Sequence, residues 1–268
     1  MHRHAFVVYI FFCLGAMFFV YSLGIHPQTA KVVFLDVGQG DSILIESANG
    51  NQVLLDSGRG SKVLDELGAV MSFGDKHIDM IMASHYDSDH IGGFSSVLSE
   101  YSVDTLVVNG AEAKTKIALA LLQKAQLHEV SMLTAQRGMK ITLGSDVYLE
   151  ILYPDRTPVP AGNEGSIVAQ VHTPQGVFML TGDATEKVER IVERLDGEKL
   201  QSDVLKLGHH GSKTSSSLGF LRMVQPALAV ISAGLDNQYG HPHPDVLERL
   251  RSLGISFLAT YRDGRIVF

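Results

Sequence analysis

Cysteine is almost absent. Of 268 residues only Cys13 carries a thiol, so beyond it no disulfide can form and no thiolate can serve as ligand or nucleophile. A domain of this size needs no cross-links, because its core can supply the stability. Basic charge is also scarce, with 22 Lys and Arg against 29 Asp and Glu. That is a poor footprint for non-specific grip on nucleic acid, which depends on clustered Lys and Arg. Low-complexity linkers and a sequence repeat are missing too, so residues 31–268 read as one domain. With 45% apolar and 19% charged residues the chain can bury a full core.

Formal charge is missing altogether from residues 5–25, a band rich in Phe and Val. As a helix this stretch would reach about 30 Å, the thickness of a bilayer core. Arg3 and the amino terminus precede it, which favours a cytoplasmic start and an exported remainder. Residues 1–26 are therefore expected to be a single transmembrane anchor or, given the small residues Ser22 and Gly24, a cleavable signal peptide. A buried soluble helix is the competing reading, and the lack of a polar face counts against it. Without Arg3 the remainder holds 21 basic and 29 acidic residues.

Beyond residue 30, short β-rich runs separated by turn residues predict strands over 31–37, 41–47 and 51–57, with Asn49-Gly50 as a hairpin turn. A helix over 63–70, a strand over 78–83 and a helix from near Gly92 follow. Next come a strand over 104–108, a helix over 113–127, and strands over 140–143, 147–153, 166–172 and 177–181. Helices over 184–194, 215–223 and 244–253 then alternate with strands over 203–207, 227–232 and 255–258. Two strand-rich runs, each followed by helical alternation, suggest two sheets packed face to face with helices outside, and chemistry at the loops along one edge.

What the chain has in abundance is ligand-type side chains in one short loop, Ser84-His85-Tyr86-Asp87-Ser88-Asp89-His90-Ile91-Gly92-Gly93. Four imidazoles and carboxylates within six residues suit divalent ions such as zinc or manganese. The alternative is a polar loop that caps the next helix. Four further clusters stand at strand ends. Thr181-Gly182-Asp183 offers an acid whose two oxygens can face different ions. Gly208-His209-His210-Gly211-Ser212-Lys213-Thr214 offers adjacent histidines, expected to point in different directions on an extended backbone, and then an anion cradle at a helix start. Tyr239-Gly240-His241-Pro242-His243-Pro244 fixes histidines in a rigid loop before a helix. The acidic turns Asp36 to Asp41 and Asp56-Ser57-Gly58 read as structural support behind the ligands.

Phe34-Leu35-Asp36-Val37-Gly38-Gln39-Gly40-Asp41-Ser42, the run 85–93, Thr181-Gly182-Asp183 and the stretches 208–217 and 239–244 together resemble the metallo-β-lactamase-like hydrolase domain of ComEC-type competence proteins. The resemblance spans about 31–268 and implies an α/β fold of the αββα sandwich type with two divalent metal ions. It implies that His85 and Asp87 hold the first ion, that Asp89, His90 and His210 hold the second, and that Asp183 bridges them; His209 is the alternative to His210. Many relatives place a further histidine before the bridging aspartate. Residues 162–166 offer none, and His172 lies too far along its strand, so the first site is rich in oxygen, with room for manganese or magnesium.

The activity implied is phosphodiester hydrolysis, with nucleic acid among the substrates. Asp89 would orient the attacking hydroxide. Lys213 and the backbone of 211–214 would steady the developing charge, and His209 or His241 would protonate the leaving oxygen. ComEC itself is a large polytopic channel, whereas this chain has one candidate membrane helix, so DNA transport does not carry over. A hydrolase of another bond (lactonase, β-lactamase or thioesterase) and a non-catalytic metal-binding module are the rival readings.

Overall fold

Strand alternation builds the first sheet. In β1 (Lys31–Phe34), Val32 and Phe34 point into the space between two sheets, while Val33 points to a helix layer. The computed structural model describes residues 29–268. The apolar segment 5–25, with its expected anchor or leader, lies outside the described residues. Among the described residues no helix is long and apolar enough to cross a membrane.

β1 pairs antiparallel with β2 (Ile43–Glu46), and β2 with β3 (Gln52–Leu55). The hairpin turn closes at Gly50, whose N–H donates to the Ser47 carbonyl at 2.9 Å. Helix α1 (Lys62–Val70) crosses to β4 (His77–Ala83), which lies parallel to β3. The short α2 (Ser88–Ile91) and α3 (Phe94–Glu100) lead to β5 (Ser102–Val108), and α4 (Lys116–Leu127) leads to β6 (Ser131–Thr134). The second half repeats the plan. β7 (Lys140–Thr142), β8 (Tyr148–Tyr153), β9 (Val168–Thr173) and β10 (Gly176–Leu180) are antiparallel neighbours. Then α5 (Glu186–Asp196), β11 (Val204–Lys206), α6 (Leu218–Val224), β12 (Leu228–Ile231), α7 (Pro244–Ser252) and β13 (Ser256–Ala259) alternate, and the three strands are parallel. After α8 (Thr260–Asp263), β14 (Ile266–Val267) returns to pair with β1.

The strand orders are β14-β1-β2-β3-β4-β5-β6 and β13-β12-β11-β10-β9-β8-β7. Each sheet thus switches from antiparallel to parallel at one pair, β3/β4 in the first and β10/β11 in the second. One core fills the space between the sheets, with Phe34, Ile45, Ile151, Phe178 and Val230 in it. Two more cores join each sheet to its own helices. The result is the four-layered αββα arrangement that the sequence pattern predicts.

Departures are local. β6 carries no alternation because all four of its residues are exposed at a sheet edge, and β14 is too short to show a period. The helix expected from 113 starts at Lys116, where the Thr115 hydroxyl accepts the Ala118 N–H at 3.2 Å. The helix expected from 215 starts at Leu218, capped by Ser217.

Candidate metal centre

The loops that follow β3, β4, β10 and β11 bring the candidate ligands together, at the carboxyl ends where both sheets change sense. The β1–β2 loop reaches the same place. Gly40 has φ +122°, and a Cβ on it would lie 2.0 Å from the Asp89 carbonyl oxygen. Only glycine permits that approach, and it lets the Asp41 N–H donate to that carbonyl at 3.2 Å. Gly93 is similarly constrained, since a Cβ there would meet the Ser57 carbonyl at 2.4 Å.

Three buried histidines are held from behind. His90 Nδ1 lies 2.7 Å from Asp56 Oδ2, His85 Nδ1 lies 3.0 Å from Ser84 Oγ, and His210 Nδ1 donates to the Ser232 carbonyl at 2.8 Å. Asp56 also accepts the Ser84 N–H and hydroxyl, at 2.8 and 2.6 Å. Each Nδ1 is engaged, so each Nε2 faces the centre. Such backing fixes ring orientation and tautomer, as at histidine-rich metal sites.

Asp183 is the hub. Its carboxylate oxygens lie 3.2 Å from His90 Nε2, 3.5 Å from His210 Nε2, 3.7 Å from His209 Nε2 and 4.0 Å from His85 Nε2. Asp87 lies 3.7 Å from His85 Nε2, and Asp89 lies 3.5 Å from His210 Nε2. His85, Asp87, Asp89, His90, Asp183 and His210 therefore all converge. A divalent ion fits this donor set: His85 Nε2, His90 Nε2, His210 Nε2, Asp41 Oδ1 and Asp183 Oδ1 are all buried without a hydrogen-bond partner. Unpaired buried polar atoms are costly, and several aimed at one point call for a cation.

The histidine pair departs from expectation. Its backbone is not extended: His209 and His210 have φ +49° and +56°, inside the turn Gly208–Gly211. The turn is closed by the Ser212 N–H donating to the His209 carbonyl at 2.8 Å. Left-handed backbone at two successive residues turns both rings toward Asp183. His209 also touches Asn163, whose Nδ2 lies 3.2 Å from its Nδ1, so the stretch 162–166 that offers no histidine abuts this one.

Lys213 is exposed and does not line the cleft. No helix starts at it, because the Ser216 and Ser217 N–H groups donate instead to the buried Glu189 carboxylate. The amides that hold a carboxyl thus lie just beyond the expected cradle of residues 211–214, and the group they hold is internal. Burial pushes the Glu189 carboxyl up to about 7 from an ordinary 4.5, against the pull of those two amides. Between those pH values the folded protein keeps a proton that the unfolded chain has lost, so stability falls as pH rises. Relative to a Glu189→Gln variant, the native protein is expected to lose about 3 kcal/mol between pH 4.5 and 7.5, measured by urea unfolding at both pH values.

Two residues of the centre have roles that the motifs do not assign. Asp41, expected as turn support, presents its carboxylate beside His90, Asp183 and His210. Lys206 is fully buried; its ammonium is ion-paired with Asp41, donates to the Gly182 carbonyl at 2.8 Å and lies 3.7 Å from Asp183. The signal available for it is one charge in the apolar run Val204-Leu205-Lys206-Leu207. Burial alone would favour the neutral carboxyl of Asp183, but His210, His90 and Lys206 outweigh it and hold the pKa well below the usual range. Burial likewise opposes charge on His210, yet Asp183 and Asp41 raise it to about 9. His241, at the cleft, is lowered to about 4 by burial and by His209 and His210, and burial lowers His209 as well. Both rings are uncharged at neutral pH. The cleft, about 110 Å³, is lined by Gln39, Tyr239 and His241 beside the ligand-type residues.

The sequence pattern of the metallo-beta-lactamase superfamily matches residues 35–234. ComE operon protein 3 of Bacillus subtilis (strain 168) is 30% identical over 96% of this chain and 35% of its own length. Competence protein ComA of Neisseria gonorrhoeae is 34% identical over 91% of this chain and 33% of its own length. The chain spans about a third of the length of these curated relatives, and both bear out the ComEC-type resemblance carried by the motifs. Among solved structures, the metallo-beta-lactamase fold protein YhfI of Bacillus subtilis superposes with a TM-score of 0.58 at 12% identity, over 89% of this chain and 99% of that one. That likeness is one of fold.

Proposed function

Since this chain belongs to the metallo-β-lactamase superfamily, we propose that it is a metal-dependent hydrolase of phosphodiesters, nucleic acid included. The observation that carries the reading is the convergence of unpaired buried atoms on Asp183. Charge supports two ions rather than one. With His90 and His210 uncharged, as metal binding would require, Asp41, Asp56, Asp87, Asp89 and Asp183 stand against one buried ammonium, Lys206, and the four remaining negative charges match two divalent cations.

His85 and Asp87 would hold the first ion and Asp89, His90 and His210 the second, with Asp183 between them. His209, as close to Asp183 as His85 is, stands where the first site otherwise lacks a third partner. Zinc or manganese suits this mixture of imidazole and carboxylate. Bound there, such ions lower the pKa of water and draw charge from a phosphoryl oxygen. Asp89, kept ionised because His210 and His90 outweigh its burial, orients the attacking water by accepting a hydrogen bond. With His209 facing the first ion, His241 borders the cleft as an uncharged ring that relays protons between water and the leaving oxygen. Lys213 takes no part. The charge-free segment 5–25 after Arg3 supports a membrane-anchored or secreted enzyme outside the cytoplasm.

The test strips the metals, returns zinc or manganese, counts ions per chain, and offers bis-p-nitrophenyl phosphate and a cephalosporin in parallel. Two ions and diester turnover alone are expected. Turnover of the cephalosporin without the diester would move the enzyme to another bond. Ligand binding that persists in EDTA, with no cleavage under any metal, would make it a non-catalytic module.

A further inference from the structure

Arg59 and Tyr239, 180 residues apart, meet at the mouth of the cleft, where Arg59 Nη2 donates to the Tyr239 hydroxyl at 2.8 Å. Both loops are anchored. The Gly58 N–H donates to the Asp41 carbonyl at 2.8 Å, fixing the backbone just before Arg59. On the other side, Asn237 Oδ1 accepts the N–H groups of Tyr239 and His241 at 3.2 and 3.0 Å, and its Nδ2 donates to the Gly234 carbonyl at 2.9 Å. Tyr239 therefore stands half-exposed, its ring stacked on His241 with centroids 5.9 Å apart.

The partners of the guanidinium are weak ones. It has five donors, yet it engages one neutral phenol and lies 3.8 Å from Asp89, a proposed metal ligand. A phosphate would bind it better, because it is an anionic acceptor that the planar guanidinium can grip with two parallel N–H bonds, where the phenol oxygen takes only one and carries no charge. Gln39 adds a second free donor. Its Oε1 accepts the Gly234 N–H at 3.1 Å, which fixes the amide, while its buried Nε2 has no partner and the residue lines the cleft.

We infer that Arg59, Gln39 and Tyr239 form a substrate-positioning clasp for a diester that carries a nucleobase. Arg59 leaves the phenol and, with Gln39 Nε2, donates to the phosphate next to the scissile one. The Tyr239 ring, released at its hydroxyl and backed by His241, stacks the base. This rests on the proposed phosphodiesterase reading and narrows its substrate to nucleic acid rather than a ring-free polymer.

Steady-state kinetics on the metal-loaded full chain test it, with a trithymidylate and a ring-free glycerol phosphodiester as substrates. Arg59→Ala is expected to raise KM for the trithymidylate about tenfold or more, with kcat falling by less than about threefold, and Arg59→Lys to restore part of the loss. Tyr239→Ala is expected to raise the same KM by about fivefold or more and to leave that for the glycerol diester unchanged. Tyr239→Phe, which keeps the ring, is expected to match the native KM or fall below it. An unchanged KM in Arg59→Ala, or equal losses in Tyr239→Phe and Tyr239→Ala, overturns the clasp while the phosphodiesterase reading stands. If the native chain cleaves neither diester under any metal, that reading falls and the clasp falls with it.

Discussion

Asp183→Asn is expected to lose at least about a thousandfold in kcat, and its bound metal should drop to one ion per chain or fewer. The change is nearly isosteric, and the residue is 3% exposed, so packing is kept. What goes is the one carboxylate that lies within about 4 Å of His85, His90, His209 and His210 at once. An amide presents a donor to imidazole nitrogens that have none to accept with once a cation is bound, and it contributes no charge. Lys206 still has Asp41, so the fold survives. Elemental analysis, cooperative unfolding and turnover measured on one preparation check all three statements; retained activity would remove Asp183 from the bridging role.

Lys206→Met produces the opposite pattern, a loss of stability before a loss of chemistry. Lys206 is fully buried, and its removal leaves Asp41 without its cation in a site that is itself fully enclosed. Breaking such a pair from one side costs about 3–5 kcal/mol. Burial pushes the Asp41 carboxyl up, but Lys206 and then His210 hold it below its ordinary 3.8 in the native protein. That stabilisation is present above pH 3.8 and fades as acid protonates the group, so the penalty belongs to neutral pH. Divalent ions supply the missing charge and should recover part of it by binding only the folded state. Urea midpoints at pH 7, with and without zinc or manganese, measure both effects. Equal midpoints for native and variant chains in EDTA would show that Lys206 carries no such load.

The first ligand cluster is legible because a single loop must deliver His85, Asp87, Asp89 and His90, and the spacing survives in one dimension. The four layers are legible for a related reason: strands covered on both faces read as short apolar runs between turns, and these alternate with helical segments in each half. Asp41 and Lys206 are not legible as a pair, since each is one residue from a different strand or loop and only the β1–β2 approach to Asp89 unites them. Arg59 and Tyr239 are further apart still. The geometry of His209 and His210 misleads, because two non-glycine residues in left-handed backbone run against local preference. Bonds from outside the turn, the His209 N–H to the Gly182 carbonyl at 3.2 Å and the His243 N–H to the Gly211 carbonyl at 2.9 Å, hold that backbone, so the sequence window does not set where those rings point.

The same strand plan occurs twice, and the centre sits on the line where the two copies touch. Five of its ligand-type residues, Asp41, His85, Asp87, Asp89 and His90, come from the first copy and three, Asp183, His209 and His210, from the second. Neither half brings the whole donor set, so the proposed chemistry would belong to a seam. An ion held in that seam would act also as a rivet between the layers, and its arrival would report that the two halves have found each other.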